Sequence, residues 1–513
     1  MKSFVFSWFW ALAAIIFITP AVSAQSVADV KLLFNHKYNE NYTYEGTDDE
    51  NFYFVLPGKK NASLTVRIFD KKSGDAKSEK LILLSPTYKK SAIVNYRQRD
   101  GQIFVLSAFE NSKDDKVYFF SESFDIMQSK SNGDLKKVSE RPLSNRFTNL
   151  LTATSPDKEY FAYFSLNIKD GNVSSDILTV YDSHFQVAFE SDNVVGEMNG
   201  FNSIDNFVID NNGQCYMLLM NYKNAADMYS SKTMKYPLSA LEKMNVYLYN
   251  QLYEYKIVKI EPEGEARWLS VVAEEDKFIK KLFLFCNGNE VFTGGVFSKP
   301  GNLNDGGTFS ARIDNQPEEI YISDYFEFSD EFVRKDLDEK DLKLYEKALE
   351  GDNNGLYDYH FLNNLGCIQF NGGVILLMEQ VFAYYSGGKI TYYIRLSDYV
   401  YAVYIGQDGK MKTTFKIPKK QATMDQRNNN CAYTVMGDKF LFLFDDLPYN
   451  SNKSDQMFLY EYDKDLNRTT HVIPTGVEFK YPIRPTNDWV SDDVTIGHLQ
   501  YMTRNMFFLI NIK

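Results

Sequence analysis

Residues 365–421 read LGCIQF NGG VILLMEQVFAYY SGG KITYYIRLSDYVYAVYI GQDGK MKTTFKIPKKQ. Apolar and β-branched runs at 366–370, 374–385, 389–405 and 411–417 are separated by Asn371-Gly372-Gly373, Ser386-Gly387-Gly388 and Gln407-Asp408-Gly409-Lys410. Gly and Asn at these positions supply the positive φ that tight hairpins demand, so the stretch is one complete four-stranded antiparallel unit.

Weaker copies recur about every 50 to 85 residues, which places the chain among repeat architectures. The inner hairpins fall at 42–56, 92–109, 154–165, 207–216 and 282–297 before the central unit, and at 431–445 after it. Cys367 and Cys431 each stand six residues before a turn glycine, Gly373 and Gly437, which fixes the alignment of the sixth and seventh units. In the fifth, 319–323 is expected as an outer strand. The chain ends in a lone hairpin, 495–501 and 506–510, while 27–34 near the start is an apolar strand without a partner. Pairing the two closes a ring and protects edges that would otherwise aggregate. The expected fold is therefore all-β, a β-propeller of seven to eight four-stranded blades closed by the N-terminal strand. A β-sandwich or solenoid is the alternative.

Forty-four per cent of the 513 residues are hydrophobic and 16% aromatic, ample for a large core and rich in strand formers. An apolar run at 4–18 follows Lys2 and leads to Val22-Ser23-Ala24, the layout of a cleavable secretory signal ending at Ala24. Residues 25–513 then form a single domain with insertions at 223–245 and 327–356. The second carries a helix expected over 330–349, capped by Ser329 and packed on the rim, with a partner-binding helix as the alternative. The net charge of -12, without a basic cluster, argues against nucleic acid. No later segment is apolar for long enough to span a bilayer.

Thr154-Ser155-Pro156-Asp157-Lys158-Glu159 and the strand after it resemble the blade motif of TolB-type propellers. The segment 207–216 resembles an NHL-type repeat. Glu379-Gln380, Asp408-Gly409-Lys410, 417–421 and 443–446 together are similar to a group of secreted propeller-like proteins from Bacteroidota. That resemblance implies fold and secretion, and brings no activity with it.

Glu379, Gln380, Asp445 and Asp446 are polar residues at the ends of apolar strands, where a propeller places the mouth of its channel; Arg395 and Asp398 add charge nearby. These six are the candidate ligand-binding residues. Tyr384, Tyr385, Tyr392, Tyr393, Tyr399, Tyr401 and Tyr404 offer rings for packing or for stacking a sugar or peptide. Five scattered histidines give no hydrolase or zinc pattern. The four cysteines lie at least 64 residues apart, too far for a zinc cluster by spacing, and read as buried thiols ahead of bridges. No metal or cofactor is expected. The function expected is a secreted or periplasmic, non-catalytic binding or scaffold propeller for a protein or glycan. The alternative is a hydrolase or lyase acting on carbohydrate, favoured if two carboxylates and an Arg or Tyr meet in an axial pocket.

Overall fold

Eight sheets, antiparallel except for one added strand, succeed one another along the chain in the computed structural model. It describes 28–37, 40–58, 63–85, 91–133, 135–143, 150–169, 172–195, 202–222, 253–298, 306–313, 318–335, 361–387, 391–423, 431–445, 456–474, 484–501 and 504–513, with positions 337, 339, 342, 343 and 346. The segments 1–24 and 223–245, and much of 327–356, lie outside the described residues.

Strand β1 (Ala28–Lys37) belongs to the last sheet. Blade 1 is β2 (Thr43–Thr47), β3 (Asn51–Pro57), β4 (Ser63–Asp70) and β5 (Ala76–Leu83). Blade 2 is β6 (Ala92–Arg99), β7 (Gln102–Asn111), β8 (Lys116–Asp125) and β10 (Lys136–Pro142), with β9 (Lys130–Ser131) beside β8. Blade 3 is β11 (Leu150–Thr154), β12 (Tyr160–Lys169), β13 (Asn172–Asp182) and β14 (Val187–Asp192). Blade 4 is β15 (Asn202–Ile209), β16 (Cys215–Tyr222), β17 (Tyr253–Ile260) and β18 (Ala266–Val272). Blade 5 is β19 (Phe278–Asn287), β20 (Glu290–Ser298), β21 (Gly307–Arg312) and, after β22 (Glu319–Tyr321), β23 (Asp324–Glu327). The short helix α1 (Asp330–Arg334) leads to blade 6: β24 (Phe361–Phe370), β25 (Gly373–Gly387), β26 (Thr391–Ile405) and β27 (Met411–Thr423). Blade 7 is β28 (Cys431–Met436), β29 (Lys439–Asp445), β30 (Gln456–Tyr462) and β31 (Arg468–Pro474). Blade 8 is β32 (Arg484–Ser491), β33 (Val494–Tyr501) and β34 (Arg504–Ile512), completed by β1.

The first strands of successive blades touch, β2 with β6 and β32, β15 with β11 and β19, β24 with β19 and β28. They form the innermost ring of an eight-bladed propeller. The turn read at Asn371-Gly372 is present, with φ of 47° and 74°, the left-handed pair a two-residue hairpin requires.

Each blade is covered on both faces, which is why its inner strands read as continuous apolar runs. Successive side chains point to opposite faces, so Tyr53 and Val55 pack against blade 2 while Phe52 and Phe54 pack against blade 8. Eight clusters of buried side chains fill the eight interfaces between neighbours. Each fully buried Phe or Leu in them contributes about 1.5–3 kcal/mol.

Closure is by the N-terminal strand, as expected. β1 runs antiparallel to β34 from Ala28↔Ile512 to Lys37↔Arg504, with a bulge between Leu32 and Phe34. At that seam the Phe34 ring lies 5.1 Å from those of Phe54 and Phe507, with the Arg67 guanidinium 4.6 Å above it. Removing residues 28–37 leaves the hydrogen-bonding edge of β34 open beside buried Phe508 and Ile510. Such a chain is expected to lose most of its monomer peak to larger species in size-exclusion chromatography.

Two expectations change in detail. The last blade is not a lone hairpin, because β32 supplies an innermost strand of its own. The segment 319–323 does not close blade 5: β22 runs parallel to β18 of blade 4, pairing Ser270 with Glu319 and Val272 with Tyr321. Ile320 and Ile322 are thereby buried between blades 4 and 5, and β23 takes the outer place. The helix expected under the Ser329 cap, whose Oγ accepts from Phe332 N at 3.1 Å, is described over Asp330–Arg334, and positions 339, 342, 343 and 346 are helical as well. It is tied to blade 6, where Lys416 Nζ donates to the Val333 and Lys335 carbonyls at 2.9 and 2.5 Å.

Candidate functional site

Of the six residues selected from sequence in blades 6 and 7, Glu379 and Asp445 lie at an enclosed place between the blades, each with a partner from β27. Ile375 and Leu377 on β25 face the blade 7 core, and Glu379 continues that face. Ile417 on β27 does the same, followed two and four residues later by Lys419 and Gln421. Glu379 Oε1 and Lys419 Nζ form an ion pair of 2.5 Å with both residues fully buried. Beside it Gln421 Nε2 donates to the Asp445 carbonyl at 2.9 Å and to its carboxylate at 2.5 Å. Gln380 is buried on the opposite face of β25, 5% exposed. A ligand reaching Glu379 would have to replace Lys419. Arg395 and Asp398 lie on β26 with side chains outside the described residues, as are those of Tyr384, Tyr385, Tyr392 and Tyr393; Asp446 is also outside them. Tyr399 and Tyr401 are buried.

All four cysteines are free thiols. Cys286, Cys367 and Cys431 occupy the innermost strands of blades 5, 6 and 7, and Cys367 Sγ donates to the Cys286 carbonyl at 3.2 Å. Burial pushes the thiols of Cys286 and Cys367 up to about 12 and that of Cys431 up to about 11, so they remain protonated and unreactive at neutral pH.

The innermost strands on the other side of the ring are polar, and there a second constellation forms from blades 8, 1, 2 and 3. Glu45 on β2 lies at its centre. Thr43 Oγ1 donates to Glu45 Oε1 at 3.0 Å and lies 2.6 Å from Tyr96 Oη on β6. Tyr44 Oη reaches across to the Trp489 carbonyl on β32 at 2.9 Å, next to Asp488. From blade 3 comes Lys158, held at φ 62° in the turn after β11, where Ser155 Oγ donates to Asp157 at 2.6 Å. Arg97 Nη1 donates to the Lys158 carbonyl, and its guanidinium lies 5.3 Å over Phe185.

Two donors in this group are unspent among the described residues. Arg97 Nη2 and Gln98 Nε2 have no hydrogen-bond partner, although Arg97 is only 6% and Gln98 8% exposed. Gly46, at φ 136°, leaves about a methyl group's room beside Gln98 and Lys158: a Cβ there would stand 3.6 Å from Gln98 Oε1 and 3.9 Å from Lys158 Nζ.

Enclosure by four blades sets the electrostatics. Burial pushes the Glu45 carboxyl up to about 8, and Asp488 pushes it the same way against the pull of Thr43, Lys158 and Arg97. The side chain keeps partial contact with channel water, so the surrounding protein, not complete exclusion of solvent, causes the shift. Asp488 is also raised by burial. Burial lowers Arg97, opposed by Glu159, Glu45 and Asp182. At neutral pH Glu45 is therefore largely a neutral O–H donor next to two cations. Among the described residues no group of three or more His, Cys, Asp or Glu is placed to hold a metal ion, and no helix is long and apolar enough to cross a membrane.

Sequence reasoning missed this site because its members come from four blades. The signal available was that 43–48 and 96–99 end polar just before their turns, whereas 282–286 and 431–436 stay largely apolar.

A separate rim cleft of about 420 Å³ on blade 4 is lined by Arg267, Trp268, Ser270, Glu318 and Glu319.

No family model and no curated protein matches the chain. Among solved structures it is similar to the Dos1 propeller, at 9% identity and a TM-score of 0.40 over 93% of this chain and 95% of that one. The β-propeller domain of the Trilobed protease from Pyrococcus furiosus is similar at 11% identity and a TM-score of 0.31, over 85% and 96% of the two chains. Prolyl oligopeptidase B from Galerina marginata gives 9% identity and a TM-score of 0.37 over 92% of this chain and 55% of its own. Likeness at this level carries no activity across.

Proposed function

We propose that the chain is an exported, non-catalytic binding propeller, a single domain over 25–513, that receives a protein segment or glycan in the channel mouth around Glu45. The carrying observation is the pair of buried donors without partners among the described residues, Arg97 Nη2 and Gln98 Nε2, on the innermost strand of blade 2. Leaving buried donors unpaired costs about 1–3 kcal/mol each, a cost that an incoming acceptor removes. The signal-like start supports export, and the resemblances to TolB-type and NHL-type blades and to secreted Bacteroidota propellers support the same reading.

One observation favours the second reading, a hydrolase or lyase on carbohydrate. Glu45 and Asp488 lie on neighbouring innermost strands, Asp488 raising Glu45, with Arg97 and Tyr96 of the next innermost strand also within electrostatic reach of Glu45. A carboxyl still protonated near pH 7 has the state a general acid needs. Asp488 is raised as well, which makes it a poor second carboxylate and keeps binding ahead of catalysis.

Thermal-shift screening of purified protein against glycans and peptides separates these readings. Binding to the native state raises the melting temperature by an amount set by ligand concentration over Kd. The expected result is a shift of a few degrees, abolished in Glu45→Ala, with no new product by chromatography. Product formation lost in Glu45→Gln would establish the enzyme, and silence across both panels would remove the channel site.

A further inference from the structure

We infer that the rim cleft on blade 4 is a second binding site, independent of the channel mouth, and that it takes a neutral oligosaccharide stacked on Trp268.

The cleft is a step in the sheet. Strand β22 begins at Glu319, opposite Ser270, so the edge of β18 beside Arg267 and Trp268 has no strand neighbour among the described residues. The step is pinned in place. The Ser270 amide donates to the Glu318 carbonyl and the Ile322 amide to the Val272 carbonyl, each at 2.9 Å. Leu269 and Ile320, on the opposite face, are buried between blades 4 and 5. At about 420 Å³ the cleft falls within the size range of small-ligand sites.

Its lining selects the ligand. Trp268 is 40% exposed, although an indole is a large apolar surface that folding usually covers. Tyr321, 64% exposed, is paired with Val272. It therefore stands on the same face as Trp268, about 13 Å farther along the sheet. Between the two rings lie Ser270 and Glu319, and Glu319 accepts from the Tyr321 hydroxyl, which orients its carboxylate. Arg267 and Glu318 complete the lining with forked polar ends. A flat indole ringed by donors and acceptors matches a sugar, which presents C–H groups on one face and hydroxyls at its edge. The distance between the rings exceeds one sugar unit, hence an oligosaccharide. Two carboxylates against one guanidinium disfavour a uronic acid, and Arg267 opposes a lysine-rich peptide.

Tryptophan fluorescence and calorimetric titration of the purified chain with cellotetraose, maltotetraose, N-acetylchitotetraose, tetragalacturonate and trilysine test this. At least one neutral tetrasaccharide is expected to bind saturably and to change the emission, with tetragalacturonate about tenfold weaker or more. Trp268→Ala is expected to weaken that binding about tenfold or more, and Trp268→Phe to retain part of it. Tyr321→Ala is expected to weaken it severalfold. Both side chains are exposed, so the core stays intact, and circular dichroism confirms that each variant is folded. Binding that survives Trp268→Ala overturns the rim site, and its loss in Glu45→Ala then assigns the same sugar to the channel mouth. Tighter binding of tetragalacturonate or trilysine than of every neutral sugar overturns the ligand class. Silence with all three neutral sugars overturns the rim site as well, and leaves the channel reading to its own test.

Discussion

Lys419→Met is expected to lower the free energy of unfolding by about 3–5 kcal/mol, because it leaves the Glu379 carboxylate buried between blades 6 and 7 with its cation removed. The expectation follows from enclosure, not from the strength of the pair. Two charges taken out of water cost several kcal/mol each in desolvation, and their attraction roughly offsets that only while both are present. A double variant, Glu379→Leu with Lys419→Met, is therefore expected to recover most of the loss. Urea unfolding followed by tryptophan fluorescence gives both numbers from the midpoints, provided the slopes agree. A single variant within about 1 kcal/mol of the parent would mean that water reaches this interface.

Glu45→Gln is expected to change how stability depends on pH. In the unfolded chain the carboxyl loses its proton near its ordinary value of 4.5, whereas in the folded chain it holds it to about 8. Across that window the folded state binds more protons, so stability falls as pH rises from about 4.5 and levels off above about 8. Each unit corresponds to about 1.4 kcal/mol, which caps the total near about 5 kcal/mol; contact with channel water keeps the measured value below this cap. Gln does not titrate. The difference between the parent and Glu45→Gln stability curves, measured from pH 5 to 9, should grow with pH and cancel the contributions of Asp488 and the other buried acids. A flat difference would place Glu45 in bulk-like water.

Much of the fold was legible because its determinants are local. Asn371-Gly372 and Asp100-Gly101 announce their hairpins by backbone chemistry alone, and Phe52-Tyr53-Phe54-Val55 announces a strand covered on both faces. Strand β32 escaped because Pro485, Asn487 and Asp488 break its apolar pattern. The segment β22 was assigned to the wrong blade because a three-residue strand carries too little pattern to choose between neighbours. The site was less legible. Glu379 and Asp445 could be picked out as polar residues in apolar surroundings, yet the partner that neutralises Glu379 lies 40 residues away on a strand not adjacent to it. Glu45, Arg97, Lys158 and Asp488 share no spacing at all. Only the closed ring makes them neighbours.

The register Ala28↔Ile512 also fixes an order of events. A ribosome makes β1 first and β34 last, so the strand that seals the ring waits, unpaired, for almost the entire chain to appear. Bringing the ends together costs little at equilibrium, since the entropy of closing a loop grows only with the logarithm of its length. It costs time, because contacts between distant residues form late. Until then the Glu45 constellation lacks its members from blade 8, Asp488 and the Trp489 carbonyl. The last pairing to form is thus the one that completes the binding mouth.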